Sequence, residues 1–314
     1  MIKTIAILLF TLIVVPVFTV YFDRHSMSPD QLNLLMQSGA IALTLALAAF
    51  VVSTITGNCS QVDKMWSILP AIYAWHIVAN ADFVPQNAQP RLILMALLVT
   101  VWAIRLSYNF SRRGGFTWKF WTGEEDYRWE VLRKRPELSG KWQWMAFNLF
   151  FISLYQMGLI WLFTMPIMVA ATGSNPLGWI DYTAIFATIF LLIIETVADQ
   201  QQWDYQQEKH RLIREGATLT GKYAPGFVHT GLWRISRHPN YFAEQSIWVV
   251  FYFFSVAATD RWLNWSVAGA LLLVILFKGS ADFSEGISLE KYPEYKNYIK
   301  STPRFFPNIF KNKQ

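Results

Sequence analysis

The chain has 314 residues, of which 54% are apolar, 17% aromatic and only 15% charged, whereas a soluble domain carries about 25% charge. That composition excludes an ordinary soluble domain and intrinsic disorder, and in a membrane protein the net charge of +6 reports basic loops rather than nucleic-acid binding. The one cysteine, Cys59, excludes an intrachain disulfide and a multi-cysteine metal site, and no metal site is expected.

A membrane span needs about 20 apolar residues. Eight runs fit that rule in chain order: 5–22, 39–55, 65–79, 92–107, 145–172, 177–198, 241–258 and 263–278. The first reads as an uncleaved anchor, because no small-residue cleavage pattern follows it. The third is short and mixed, with Trp66, Pro70, Tyr73, Trp75 and His76, and fits a re-entrant segment as well as a span. The fifth is too long for one perpendicular span and carries Pro166, which predicts a kink or a tilt. The fold class is therefore all-α, a polytopic transmembrane helical bundle of about eight spans.

Residues 112–141 hold eight Lys and Arg, 199–240 hold six, and 281–314 hold six, which is 20 of the 27 in the chain. Two spans separate each basic segment from the next, so all three fall on one face. The positive-inside rule makes that face cytoplasmic, and parity places both termini there.

Three stretches concentrate polar groups beside or inside the spans. In Gly231-Leu-Trp-Arg-Ile-Ser-Arg-His-Pro-Asn-Tyr-Phe-Ala-Glu244, Pro239 suits the first turn of a helix. Free amides there, with Arg234, Arg237 and His238 just outside, suit an anion, and the same residues also read as basic charge flanking a span with Tyr241 as an interfacial anchor. Asn240 and Glu244 share a face beside Tyr241, and an acid inside a span is a functional candidate. In the second stretch Glu195, Asp199, Gln202 and Gln206 form one helical stripe that runs out of the membrane. The third is the tail, where Tyr292, Tyr295 and Tyr298 alternate with Lys291, Lys296 and Lys300. That mixture suits an adenine ring and phosphates, and equally lipid headgroups.

These stretches resemble the carboxy-terminal region of the steroid 5α-reductases and sterol C=C reductases, and more closely their bacterial relatives of the DUF1295 group. Ser60-Gln-Val-Asp-Lys-Met-Trp-Ser67 and Glu125-Asp-Tyr-Arg-Trp129 also look like the DUF1295 pattern. The Arg-His-Pro-Asn-Tyr core is shared with isoprenylcysteine carboxyl methyltransferases, where it serves S-adenosylmethionine. The resemblance implies residues 1–60 as amino-terminal anchor helices, residues 61–314 as the catalytic domain, and a bacterial inner membrane as the location. It also implies a cytoplasmic NADPH site. The family's Asn-Tyr-x-x-Glu element falls on Asn240, Tyr241 and Glu244, and its acidic residue on Asp199. Its tail pattern falls on Glu290, Tyr292, Pro293 and Lys296, with Arg237 and His238 completing the cofactor set. Two positions depart: the reductase Asn is Glu195 here, and a reductase Arg is Gln206.

For the substrate, the nearest polar set is Gln61, Asp63 and Lys64, with Tyr73 on the next turns, and Gln61, Asp63 and Tyr73 are assigned as catalytic. A second reading makes Asp63 a helix cap paired with Lys64 at the surface. The function implied is NADPH-dependent reduction of a C=C bond in a lipophilic enone or sterol-like molecule. The alternative is S-adenosylmethionine-dependent methylation of a lipid or isoprenylcysteine-type substrate, because helix-terminus binding physics does not separate the two cofactors. Expected partners are the lipophilic substrate and membrane lipid, with no nucleic acid.

Overall fold

The computed structural model describes residues 2–23 and 25–308. Among these there are helices and turns and no strand, as expected where backbone groups in lipid must bond within their own segment. The long helices are α1 (Ile2–Asp23), α2 (Pro29–Thr56), α3 (Gln61–Asn80) and α4 (Gln89–Ser111). A short α5 (Tyr127–Arg133) follows, then a segmented run: α6 (Lys141–Phe147), a π-helix (Asn148–Tyr155), α7 (Gln156–Thr164) and α8 (Pro166–Ala170). The chain continues through α9 (Trp179–Arg214), α10 (Pro239–Thr259), α11 (Val267–Lys291) and the short α12 (Tyr295–Ser301).

Seven helical runs of the described residues are long and apolar enough to cross a membrane, and the protein is an integral multi-pass membrane protein. All eight expected runs fall on helices, the sixth beginning at Trp179 and the eighth at Val267. The one that falls short is α3, whose first turn carries Gln61, Asp63 and Lys64 and whose middle carries Pro70. Other boundaries moved for legible reasons. The second helix begins ten residues early, at Pro29, because Ser28 and Gln31 form a reciprocal capping box. The expected disruption at Pro166 is a break at Met165, and the π-helix comes before it. With 36 residues, α9 is about 54 Å long at 1.5 Å per residue, against about 30 Å of hydrocarbon. It therefore extends well beyond the span.

The chain divides into two compact units. One unit holds the chain up to Phe186 together with Trp248–Leu273. Its centre is aromatic: Phe163 lies 4.1 Å from Trp248 between ring centroids, and Trp248 lies 5.0 Å from Trp102. Gly269 lets its helix touch the backbone of Leu162 and Phe163, where a Cβ would come within 2.3 Å. Buried hydrogen bonds join its helices, Trp161 to Ser38 and Asn148 to Ser53, as small polar side chains do in lipid. Apolar residues such as Phe10, Ile13, Val17 and Ile55 point outward, which is the pattern of helices solvated by acyl chains. The other unit holds Ala187–Ile247 and the chain from Val274.

Candidate functional site

Within the second unit, α9 and α10 meet through polar side chains. Asn240 donates from Nδ2 to Asp199 Oδ1 at 3.1 Å, and its Oδ1 accepts from the Tyr241 amide at 3.0 Å. Glu195 and Glu244 stand four residues further from the connecting loop on their respective helices. They therefore lie one turn along the same faces. Asp199, Glu195 and Glu244 are all buried. Asp199 and Asn240 are thus in direct contact, and Glu195 and Glu244 are buried one turn away on their helices.

Arg237 and His238, expected at a cofactor anion, both meet Glu285. Arg237 is buried and donates from Nε to Glu285 Oε1 at 2.8 Å and from Nη2 to Glu285 Oε2 at 3.3 Å. Its Nη1 bonds the carbonyls of Ile299 and Thr302 at 3.1 and 2.5 Å. His238 Nε2 lies 2.9 Å from Glu285 Oε1, and Arg304 reaches the other oxygen of Glu285 at 2.7 Å. The backbone amides of Arg237 and His238 donate to the carbonyls of Pro303 and Arg304 at 2.9 and 3.0 Å. The groups that were to receive an anion hold the tail instead. Glu285 was missed because its partners lie 48 residues upstream and 19 downstream, beyond any local spacing rule.

The remaining predicted residues are spread around this clamp. Tyr241 stacks on His238 at 5.1 Å and meets Phe277 edge-on at 4.8 Å. The Tyr292 hydroxyl accepts from buried Lys209 at 3.4 Å, and its ring covers Gly226, whose φ of 83° suits glycine. Lys296 is exposed. Its ammonium makes no ion pair among the described residues.

The first unit holds the other predicted set, and here too the roles change. Gln61 donates to the carbonyl of Trp121 at 3.0 Å and accepts from Lys64 at 3.3 Å. Lys64 is buried rather than paired with Asp63 at the surface, and its Nζ bonds the carbonyls of Phe120 and Thr122, each at 2.5 Å. Gln61 is thus a positioning residue. Asp63 accepts from Trp129 Nε1 at 3.1 Å. Burial, and then the Asp126 charge, push the Asp63 carboxyl up from its ordinary range, against Arg128 and hydrogen bonds from Ser60 and Trp129. For Asp126 burial also pushes upward, but the charge and hydrogen bonds of Arg128, with Arg113, outweigh it and hold the group low. The two acids therefore titrate apart, the arrangement that separates a proton donor from a fixed charge. Tyr73 is ten residues beyond Asp63, about 15 Å along the helix. Its hydroxyl is buried without a hydrogen-bond partner, and it does not join the Asp63 cluster. Cys59 is buried, and burial pushes its thiol up to about 11 despite Arg133, so it is a poor nucleophile.

Comparison with known proteins places this chain. An uncharacterised protein of Schizosaccharomyces pombe is 39% identical over 267 residues, covering 82% of this chain and 75% of the relative. No solved structure matches the chain. The sequence pattern described as "Protein of unknown function (DUF1295)" matches residues 49–302, which takes in the Asp63–Asp126 cluster and the Asp199–Asn240 contact alike. The chain belongs to the DUF1295 family.

Proposed function

We propose that the protein is a membrane-embedded, nicotinamide-dependent reductase of a C=C bond in a lipophilic, enone- or sterol-like substrate. The observation that carries this reading is the Asp199–Asn240 contact. It joins the acidic position of α9 to the Asn-Tyr-x-x-Glu element, the pairing that the steroid-reductase resemblance requires. NADPH, when bound, supplies the hydride. The carboxylate of Asp199 and the amide of Asn240 suit ribose hydroxyls and a carboxamide, Tyr241 offers a ring face, and Glu244 extends the polar surface inward. Lys296 is an exposed cation that suits a phosphate. Arg237 and His238 act indirectly, by fixing the tail that carries Lys296 and Tyr292. Negative charge developing on a substrate oxygen needs a hydrogen-bond donor or a fixed positive charge.

One observation favours the methyltransferase reading instead. The guanidinium of the Arg-His-Pro element is committed to Glu285, while the carboxylate of Asp199 meets Asn240 between α9 and α10 and Glu195 and Glu244 are buried one turn along the same helices. That balance suits the cationic S-adenosylmethionine better than a pyrophosphate. The test is titration of the nanodisc-embedded protein with NADPH and with S-adenosylmethionine, with Asp199→Asn as the control. The reductase reading expects NADPH binding that Asp199→Asn weakens by about 10-fold or more, the scale of one charge-assisted contact. Binding of S-adenosylmethionine alone selects the second reading, and binding of neither sinks both. The relative is fungal, so we assign a multi-pass membrane location with the basic loops cytoplasmic and do not restrict it to a bacterial inner membrane. Labelling of exposed Ser174→Cys from the cytoplasm would reverse that orientation.

A further inference from the structure

We propose that residues 116–121 form a rigid interfacial anchor, seated with its rings at the acyl–headgroup boundary of an anionic leaflet. This does not rest on the reductase reading. The segment reads Phe-Thr-Trp-Lys-Phe-Trp. Trp118 is 104% exposed, Phe120 65% and Trp121 43%. Rings of this size ordinarily dominate cores and interfaces, and neighbouring apolar side chains would shelter them if the backbone were free to fold back.

The backbone is not free. Four successive carbonyls are held by three side chains spaced three apart at the start of α3. Lys64 takes Phe120 and Thr122, Gln61 takes Trp121, and Asn58 takes Gly123 at 2.9 Å. The Thr117 and Thr122 hydroxyls meet at 2.7 Å and close the base of the loop. At Gly123, with φ of 117°, a Cβ would lie 2.6 Å from the Gly115 carbonyl, so that turn requires glycine. A buried lysine used on two carbonyls is a substantial commitment for a solvent loop. It is well matched to a loop that must present rings in one direction.

The occupant follows from what flanks the segment. It connects two helices long and apolar enough to cross the membrane, one ending at Ser111 and the next starting at Lys141. Tyr108 and Trp142, at 66% and 72% exposure near those two ends, extend the rings into the aromatic belt expected at a bilayer surface. Lys119 is exposed among them and has no acidic partner among the described residues. A cation between interfacial rings suits anionic headgroups. Because Gln61, Asp63 and Lys64 share one helical turn, the anchor also fixes the height of the Asp63 carboxyl relative to those headgroups.

The experiment is nitroxide labelling in a Cys59→Ala background, with the protein in nanodiscs of phosphatidylglycerol or of phosphatidylcholine. Labels go on Thr117→Cys, which keeps every ring but gives up the Thr122 hydroxyl contact, on Trp118→Cys, which keeps that contact, and on Glu137→Cys, an exposed control in the same connection. Collisions with oxygen and with a water-soluble nickel chelate report depth. Positions 117 and 118 are expected to collide mainly with oxygen and position 137 mainly with nickel, with deeper values in phosphatidylglycerol. Lys64→Met should move the label at 118 toward water. Nickel access at 118 equal to that at 137 overturns the anchor, and equal depth in both lipids overturns its charge preference. A label at 118 that is wet in nanodiscs yet immobilised in native membranes points to a protein partner and also overturns it.

Discussion

Arg91 and Lys64 are both buried cations of the first unit, one at each end of its α3–α4 pair, and they are satisfied in opposite ways. Arg91 forms a two-pronged ion pair with Asp181 at 2.7 and 2.9 Å, and adds the carbonyls of Asn175 and Pro176. Both partners are essentially fully buried. The same end carries a second pair, Arg261 with Asp23 at 2.7 Å. Lys64 instead bonds neutral carbonyls, and the nearby acids Asp63 and Asp126 are left to titrate apart. One end is closed by charge neutralisation. The other keeps a protonatable acid beside a loop of exposed rings, which is why the candidate chemistry of this unit is sought there.

Breaking the closed end should have the largest effect. Arg91→Ala leaves Asp181 charged and buried, and removal of one partner of such a pair costs about 3–5 kcal/mol. Denaturation in detergent should show that loss, and Arg91→Ala/Asp181→Ala should recover part of it. Strictly additive losses would mean that the pair contributes no coupling. Lys64→Met should cost less, about 1–3 kcal/mol for carbonyls left without a donor, since water reaches this end. The loss should be local, and trypsin should cut after Lys119 faster while the unfolding midpoint moves little. Unchanged cleavage would show that the carbonyl clamp does not hold the loop.

The smallest effect is one of pH. Asp63 is raised in the folded state, so folding binds its proton. Its contribution is fully present below the ordinary carboxylate range of about 3.9 and is lost as pH rises through the raised value. Asp126 is depressed, so its contribution has the opposite sign and is lost as pH falls through the folded value. Asp63→Asn should therefore be more stable than the unaltered protein at pH 8 and no more stable at pH 4. A stability difference that does not change with pH would remove the raised carboxyl from the account.

The Asp199 stripe was legible because its residues recur at helical spacing, and its contact with Asn240 followed from two antiparallel helices brought to one level. Arg237 was misread for a physical reason. A basic residue before a helix looks the same in sequence whether it faces a ligand or a distant carboxylate, and Glu285 is 48 positions away. Gln61 was misread likewise, since nothing local reveals four carbonyls of a loop some 60 residues on.

What the sequence determined by itself is the membrane architecture. Apolar length, aromatic excess and charge asymmetry are sums over residues, and lipid permits only helices to satisfy such segments singly. The helix start at Pro239 was likewise written locally, as was the break at Pro166. Only the tertiary structure decided which polar groups are committed and which remain available. Buried hydrogen bonds and ion pairs are contacts between positions far apart in the chain, and whether Arg237, Gln61 or Lys64 binds a ligand or its own protein depends on which partner arrives first in space.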